Sequence, residues 1–371
     1  MDDEEKISLC ERILLDLDNI FKRDPNIIEF DVIEVAESTC NKSPVIYSDH
    51  HLALEKWCVP HLYEYAYDKM LNFKKQSTYN RTESSLLHQW TRILLLLNPD
   101  FTTAWNLRRD LLNKSSSNSH LEELDFTKLM LIRKPKCASV FTYREWLLNS
   151  FLRLDNGQLN DDLISNELQI TLNAADQYSR NYYAWSHRTW LLTVYIVHNN
   201  DHHHLTNVIN RIINDLMITA EWLEQHISDY SGFQHRQFLF NFVHELCRTN
   251  QKTFNTTANS LNSFTNDDDS FSSSLDKCCQ IFFKEFQWLS TLWPLYPAQE
   301  SLFLHRRHIL HAASLWYPNQ IEHLKQEELN FHERILSNYT VMMTKSEQNW
   351  QKELIRRYRF YLKCNLNWTF D

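Results

Sequence analysis

Asn181-Tyr182-Tyr183-Ala184-Trp185-Ser186-His187-Arg188-Thr189-Trp190-Leu191-Leu192 is the stretch on which the fold turns, because its pattern recurs along the chain. With Trp185 as position zero, Arg188 stands at +3, and the apolar Leu191 and Leu192 at +6 and +7. Residues three, four and seven apart return to one side of an α-helix, so the pattern reads as a single helical face. The same spacing holds Trp105 and Arg108, Phe141 and Arg144, Phe233 and Arg236, and Phe303 and Arg306. The residue before the aromatic is Ala104, Val140, Ala184, Gly232 or Leu302, small in three of the five, which implies close helix approach.

An amphipathic stretch of helix length precedes each copy: Leu86 to Leu97, Leu121 to Ile132, Leu163 to Ala175, Val208 to Ile227 and Ile281 to Leu292. The unit is therefore helix A, a turn often carrying Pro or Asn, then helix B with the aromatic-x-x-Arg signature. Successive arginines are 36, 44, 48 and 70 residues apart. Such units bury their open faces only by stacking, so the expected fold is all-α, a right-handed superhelical solenoid of helical hairpins. The long last spacing marks a polar insertion at 249–275, rich in Asn, Ser and Thr, which is expected to be disordered. Residues 1–70 differ in character, with an amphipathic helix over Ile7 to Phe21 and a mixed, partly extended Asn26 to Tyr47. The hairpin repeats are expected to fill 71–371.

Composition supports this and excludes several classes. Among 371 residues there are two glycines, Gly157 and Gly232, too few for phosphate-cradling or dinucleotide-binding loops. A sheet-rich fold with many tight hairpins would also be hard to close. A net charge of -9 without a long basic stripe argues against nucleic acid as partner. No apolar run approaches the roughly 20 residues that span a bilayer. The acidic start Met1-Asp2-Asp3-Glu4-Glu5 is unlike a signal peptide, so a cytoplasmic protein is expected. The eight cysteines include no C-x-x-C pair and read as free thiols.

The third copy closely resembles the repeat of protein prenyltransferase alpha subunits, and all five copies fall in order over about residues 85 to 312. Lys42 to Val45, Trp57 to Val59 and Leu94 to Trp105 resemble the type III geranylgeranyltransferase branch. The resemblance implies a crescent of hairpins around a separate beta subunit, of the Rab geranylgeranyltransferase type. That subunit would hold zinc and geranylgeranyl diphosphate, and substrates would be proteins with a cysteine near the C-terminus. This chain would be inactive alone. The resemblance carries a diphosphate-facing lysine onto Lys136, five before Phe141, and substrate contacts onto Tyr182 and Tyr183. Farnesyltransferase-like subunits have histidine at the position of Tyr183, and the second copy has Phe141 in place of tryptophan.

The five aromatics read as core, and the five arginines as partners of carbonyls or carboxylates in neighbouring hairpins. His202-His203-His204 follows Asp201 without a second ligand set, and His305, His308 and His311 drift around a helix, so no metal site is expected. The rival reading is a helical-repeat adaptor, similar to tetratricopeptide proteins, that binds partners without taking part in catalysis; its 34-residue period does not fit these spacings.

Overall fold

A computed structural model describes residues 2–35, 43–73, 81–113, 117–154, 160–198, 205–249, 274–319, 321–338 and 343–368. The insertion expected at 249–275 falls almost wholly outside them, as does His202-His203-His204. The chain divides into two compact units, Met1–Leu191 and Leu192–Asp371.

The first unit opens with α1 (Asp3–Arg23). Asp2 and Glu5 form a reciprocal capping box, and the acidic first turn and basic last turn suit the helix dipole. A small sheet follows, made of β1 (Glu29–Ile33), β2 (Val45–Ser48) and β3 (His51–Glu55) in the order β1-β3-β2. β1 runs parallel to β3 and β2 antiparallel to it. Phe30, Leu52 and Leu54 bury its inner face. The β2–β3 hairpin turns on Asp49 and His50 with φ of 48° and 68°, left-handed positions usually given to glycine. Asp24 steadies that turn by bonding His50 Nδ1 at 2.8 Å. This sheet is an addition to the all-helical expectation for the repeats.

After a 3-10 turn (Lys56–Cys58), α2 (Val59–Phe73) packs on α1 and on α3 (Arg81–Leu97). The hairpins are α3 with α4 (Thr102–Leu112), α5 (Ser117–Arg133) with α6 (Ala138–Leu154), and α7 (Asp161–Gln177) with α8 (Tyr182–His198). Every stretch read as a helix A is helical, except that the fourth, read as running to Ile227, ends at Gln225. The second unit contains α9 (Leu205–Gln225) with α10 (Tyr230–Thr249), α11 (Ser274–Leu292) with α12 (Glu300–Trp316), and α13 (Ile321–Asn338) with α14 (Lys345–Leu366). No helix among the described residues is long and apolar enough to cross a membrane.

The arginines show why the repeat takes this form. In each of the first five hairpins an Nη1 group donates to a helix-A carbonyl 20 residues earlier: His88, Leu124, Leu168, Leu216 and Phe286 for Arg108, Arg144, Arg188, Arg236 and Arg306. The same group reaches a hydroxyl 16 or 17 residues earlier, on Thr91, Thr127, Thr171, Thr219 or Ser290. Four of the arginines also engage a glutamate of the next helix A: Arg108 with Glu123, Arg144 with Glu167, Arg236 with Glu285 and Arg306 with Glu328. One guanidinium thus bonds across its own hairpin and onto the following one. Burying such a charge is costly unless its donors are satisfied, as every nitrogen is in Arg108, Arg144 and Arg236; in Arg306, Nη2 faces Glu328 at 2.9 Å as an ion pair without a hydrogen bond.

The acid has a second partner in its own hairpin, from the residue just before the next arginine. Tyr143 donates to Glu123 at 3.1 Å, His187 meets Glu167 at 3.2 Å, and His305 meets Glu285 at 2.7 Å. His235 meets Asp215 at 2.7 Å in the same relation. Burial opposes ionisation of Glu167 and Glu285, but Arg144 with His187, and Arg236 with His305, together outweigh it and hold each carboxyl at about 2. Burial disfavours charge on His187 too, yet hydrogen bonds to Glu145 and Glu167 raise its pKa. Trp105, Phe141, Trp185, Phe233 and Phe303 are all buried, with Ala104, Val140, Ala184 and Leu302 beside four of them fully shielded.

Candidate functional site

The sequence singled out Lys136, Tyr182 and Tyr183, and all three lie in the first unit at turns joining helix A to helix B. Lys136 sits on the four-residue turn between α5 and α6, just before helix α6 begins at Ala138. Pro135 limits the backbone there, and Lys136 is exposed. Tyr182 and Tyr183 open α8 and are 58% and 38% exposed, unusually bare for large aromatic rings in a chain whose other tyrosines include the buried Tyr143 and Tyr195. Their rings meet edge to face at 5.7 Å.

One hydrogen bond ties the two turns together. Asn181 Nδ2 donates to the Pro135 carbonyl at 2.7 Å and to the Ala174 carbonyl at 3.0 Å, while its Oδ1 accepts from Ala184 N at 3.3 Å. Asn181 is fully buried, so these bonds act away from water's competition. Lys136 and Tyr182 therefore each lie one residue from an end of a fixed link. Next to them Arg180 has φ of 56°, a left-handed conformation, and its carbonyl accepts from Tyr182 N at 2.9 Å.

The lysine's nearest aromatic neighbour is one that sequence reasoning passed over. Lys136 Nζ lies 4.7 Å from the ring centroid of Tyr178, which is 47% exposed at the end of α7. On the other side of the turn, Lys134 pairs with Asp100, and Cys137 Sγ bonds Asp100 Oδ1 at 3.1 Å. Burial, assisted by Asp100, pushes the Cys137 thiol up to about 11, so it stays protonated and is no nucleophile. A pocket of about 170 Å³ opens beside Lys134, lined by Phe30, Leu96, Pro99, Met130 and Arg133.

Chemically, this strip offers an exposed ammonium and a row of phenols on a rigid turn. It can receive negative charge from outside. No group of three or more His, Cys, Asp or Glu among the described residues could hold a metal ion. His305 is occupied with Glu285, and burial lowers His308 to about 4, leaving it neutral.

Known proteins share the hairpin repeat that carries these turns. A family model described as "Protein prenyltransferase alpha subunit repeat" matches residues 120–151, 164–195 and 212–243. A Danio rerio protein named "Protein prenyltransferase alpha subunit repeat-containing protein 1" is 33% identical over 341 residues, covering 87% of this chain and 76% of that one. The chain belongs to the protein prenyltransferase alpha subunit repeat family. The Homo sapiens protein of the same name is 30% identical over 335 residues, covering 83% of this chain and 79% of its own. A Candida albicans "Geranylgeranyl transferase type-2 subunit alpha" is 27% identical over 187 residues, 47% of each chain. Among solved structures, "Candida albicans protein geranylgeranyltransferase-I complexed with GGPP" covers 79% of this chain and 90% of its own, with 15% identity. Its TM-score of 0.38 is too low to carry an argument.

The three matched segments are the α5–α6, α7–α8 and α9–α10 hairpins of this family's repeat. The Arg108 and Arg306 hairpins lie outside those segments, yet their arginines make the same bonds to a carbonyl, a hydroxyl and a glutamate.

Proposed function

We propose that this chain is the alpha subunit of a heterodimeric protein geranylgeranyltransferase of the type III kind, inactive alone. Its partner is a beta subunit of the Rab geranylgeranyltransferase type, which holds the zinc and the geranylgeranyl diphosphate. The enzyme works in the cytosol on proteins carrying a cysteine near the C-terminus. Family membership supports the subunit role, and the observation that carries the chemical reading is Lys136 exposed on a turn clamped by Asn181.

In the reaction the cysteine sulfur forms a bond to C1 of the isoprenoid as the C1–O bond breaks, and the diphosphate departs with the bonding pair. Zinc in the beta subunit would supply a thiolate at neutral pH. Lys136 acts on the leaving group, where its point charge offsets the negative charge that grows as the bond breaks. Tyr182 and Tyr183 present hydroxyls and ring faces to the substrate from the adjoining turn.

The test is turnover by a purified heterodimer with Lys136→Ala. Assembly should be unchanged and kcat should fall by roughly 100- to 1000-fold, the scale of losing one preorganised electrostatic stabiliser of developing charge. A variant that assembles and turns over at the parent rate would remove Lys136 from the chemistry. A chain that binds proteins but never a beta subunit would favour the adaptor reading.

A further inference from the structure

We propose that Tyr178 is a positioning residue for Lys136, its ring forming a cation–π rest that aims the ammonium at the departing diphosphate. The inference rests on the role just proposed for Lys136 and deepens it. A lysine on an exposed turn has a long flexible stem and a strongly hydrated charge, so it samples many rotamers unless something holds it. Among the described residues no carboxylate pairs with Lys136 in the way that Asp100 fixes Lys134 or Glu34 fixes Lys56. What stands beside it is the Tyr178 ring, 4.7 Å from Nζ to centroid, within the range of cation–π attraction.

A carboxylate would hold the lysine more firmly but would cancel the charge the leaving group needs. An aromatic face attracts the ammonium and leaves its full charge available. The two partners come from different hairpins, and the turn between them is fixed. Asn181 bonds the Pro135 carbonyl at 2.7 Å, next to Lys136, and the Ala174 carbonyl at 3.0 Å, one helical turn before Tyr178. The spacing of ring and ammonium is therefore set by buried hydrogen bonds and not by the exposed side chains alone.

The test uses the heterodimer with Tyr178→Phe, Tyr178→Leu, Lys136→Ala and the Tyr178→Leu/Lys136→Ala double variant. Tyr178→Leu should lower kcat two- to five-fold, as expected for a half-exposed cation–π pair, with KM for the acceptor protein unchanged. Tyr178→Phe keeps the ring and should keep the rate. In the Lys136→Ala background Tyr178→Leu should add nothing. A second readout needs no turnover: in the full chain with 13C-methylated lysines, the Lys136 signal should show a ring-current shift that is retained in Tyr178→Phe and lost in Tyr178→Leu. If Lys136→Ala slows turnover and Tyr178→Leu does not, this inference falls and the role of Lys136 stands. Equal loss in the Phe and Leu variants would also overturn it, pointing to the hydroxyl. If Lys136→Ala is without effect, the role of Lys136 falls and takes this inference with it.

Discussion

Replacing Glu167 by Gln removes the charge that Arg144 was built around and changes the volume hardly at all. Both side chains are wholly buried, and Arg144 directs Nε and Nη2 onto the two carboxylate oxygens. Deleting one charge of such a pair leaves the other without compensation, which costs about 3–5 kcal/mol. The carboxyl's own titration gives a similar figure. Its pKa of about 2 lies well below its ordinary 4.5, and that difference corresponds to about 3 kcal/mol of stabilisation by the ionised form. In urea, with a slope of about 3 kcal/mol/M, Glu167→Gln should shift the midpoint down by roughly 1 M, followed by helical circular dichroism. The double variant Arg144→Met/Glu167→Leu should recover most of the loss, because an apolar pair requires no desolvation of charge. His187 retains Glu145 at 3.6 Å, and the Leu124 carbonyl retains the Thr127 hydroxyl at 2.9 Å. A shift below 0.3 M for Glu167→Gln, about 1 kcal/mol at that slope, would refute the reasoning. So would a double variant as unstable as the two single losses added together.

The same carboxylates give a signed pH dependence. Folded pKa values depressed to about 2 in Glu167 and Glu285 mean stability is in full above the unfolded value near 4.5 and is lost as pH falls toward 2. Urea midpoints across pH 6 to 2.5 should show this fall, and Glu167→Gln should make it shallower. Thr127→Val keeps the shape and removes the hydroxyl that accepts from Arg144 at 2.5 Å, so a loss of about 1.5–3 kcal/mol is expected in the same assay. At Arg180, with φ of 56°, Gly should leave the chain more stable than Ala by about 1 kcal/mol, since only Ala meets the left-handed penalty. Equal melting of the two variants would show that this turn relaxes.

The helical hairpins were legible because a solenoid repeats its own solution. The aromatic-x-x-Arg spacing fixes helix B, and an amphipathic run of the right length fixes helix A. Carbonyls and carboxylates were read as the partners of those arginines, and both are found, the carboxylates in the next hairpin and the carbonyls in the arginine's own; which residues supply them was not read, although the signal was present. Thr91, Thr127, Thr171 and Thr219 each precede their arginine by 17 residues, and Glu123, Glu167, Asp215 and Glu285 each precede a Tyr or His by 20. Those distances measure how far the chain travels up one helix and down the next, a quantity with no meaning until the hairpin is drawn. The extended character of Asn26 to Tyr47 was read, but the sheet it belongs to was hidden for a different reason. Its strands are four or five residues long, β1 pairs with β3 and not with β2, the next strand in sequence, and its tight turn uses Asp49-His50 instead of a glycine pair. Lys136, Tyr182 and Tyr183 were placed by resemblance, and the structure puts them at neighbouring turns. Tyr178 escaped because a lone tyrosine after a helix has no periodicity, and its contact with Lys136 exists only once two hairpins stack.

In the function we propose, this chain works only with a separate catalytic partner. The most direct measurement is co-expression with a Rab-type geranylgeranyltransferase beta subunit, followed by size-exclusion chromatography with mass determined by light scattering. Co-expression should give a single 1:1 complex that transfers geranylgeranyl to a protein ending in cysteine, while neither chain does so alone. Elution of this chain at its own mass in the presence of excess beta subunit, with no transfer, would contradict it.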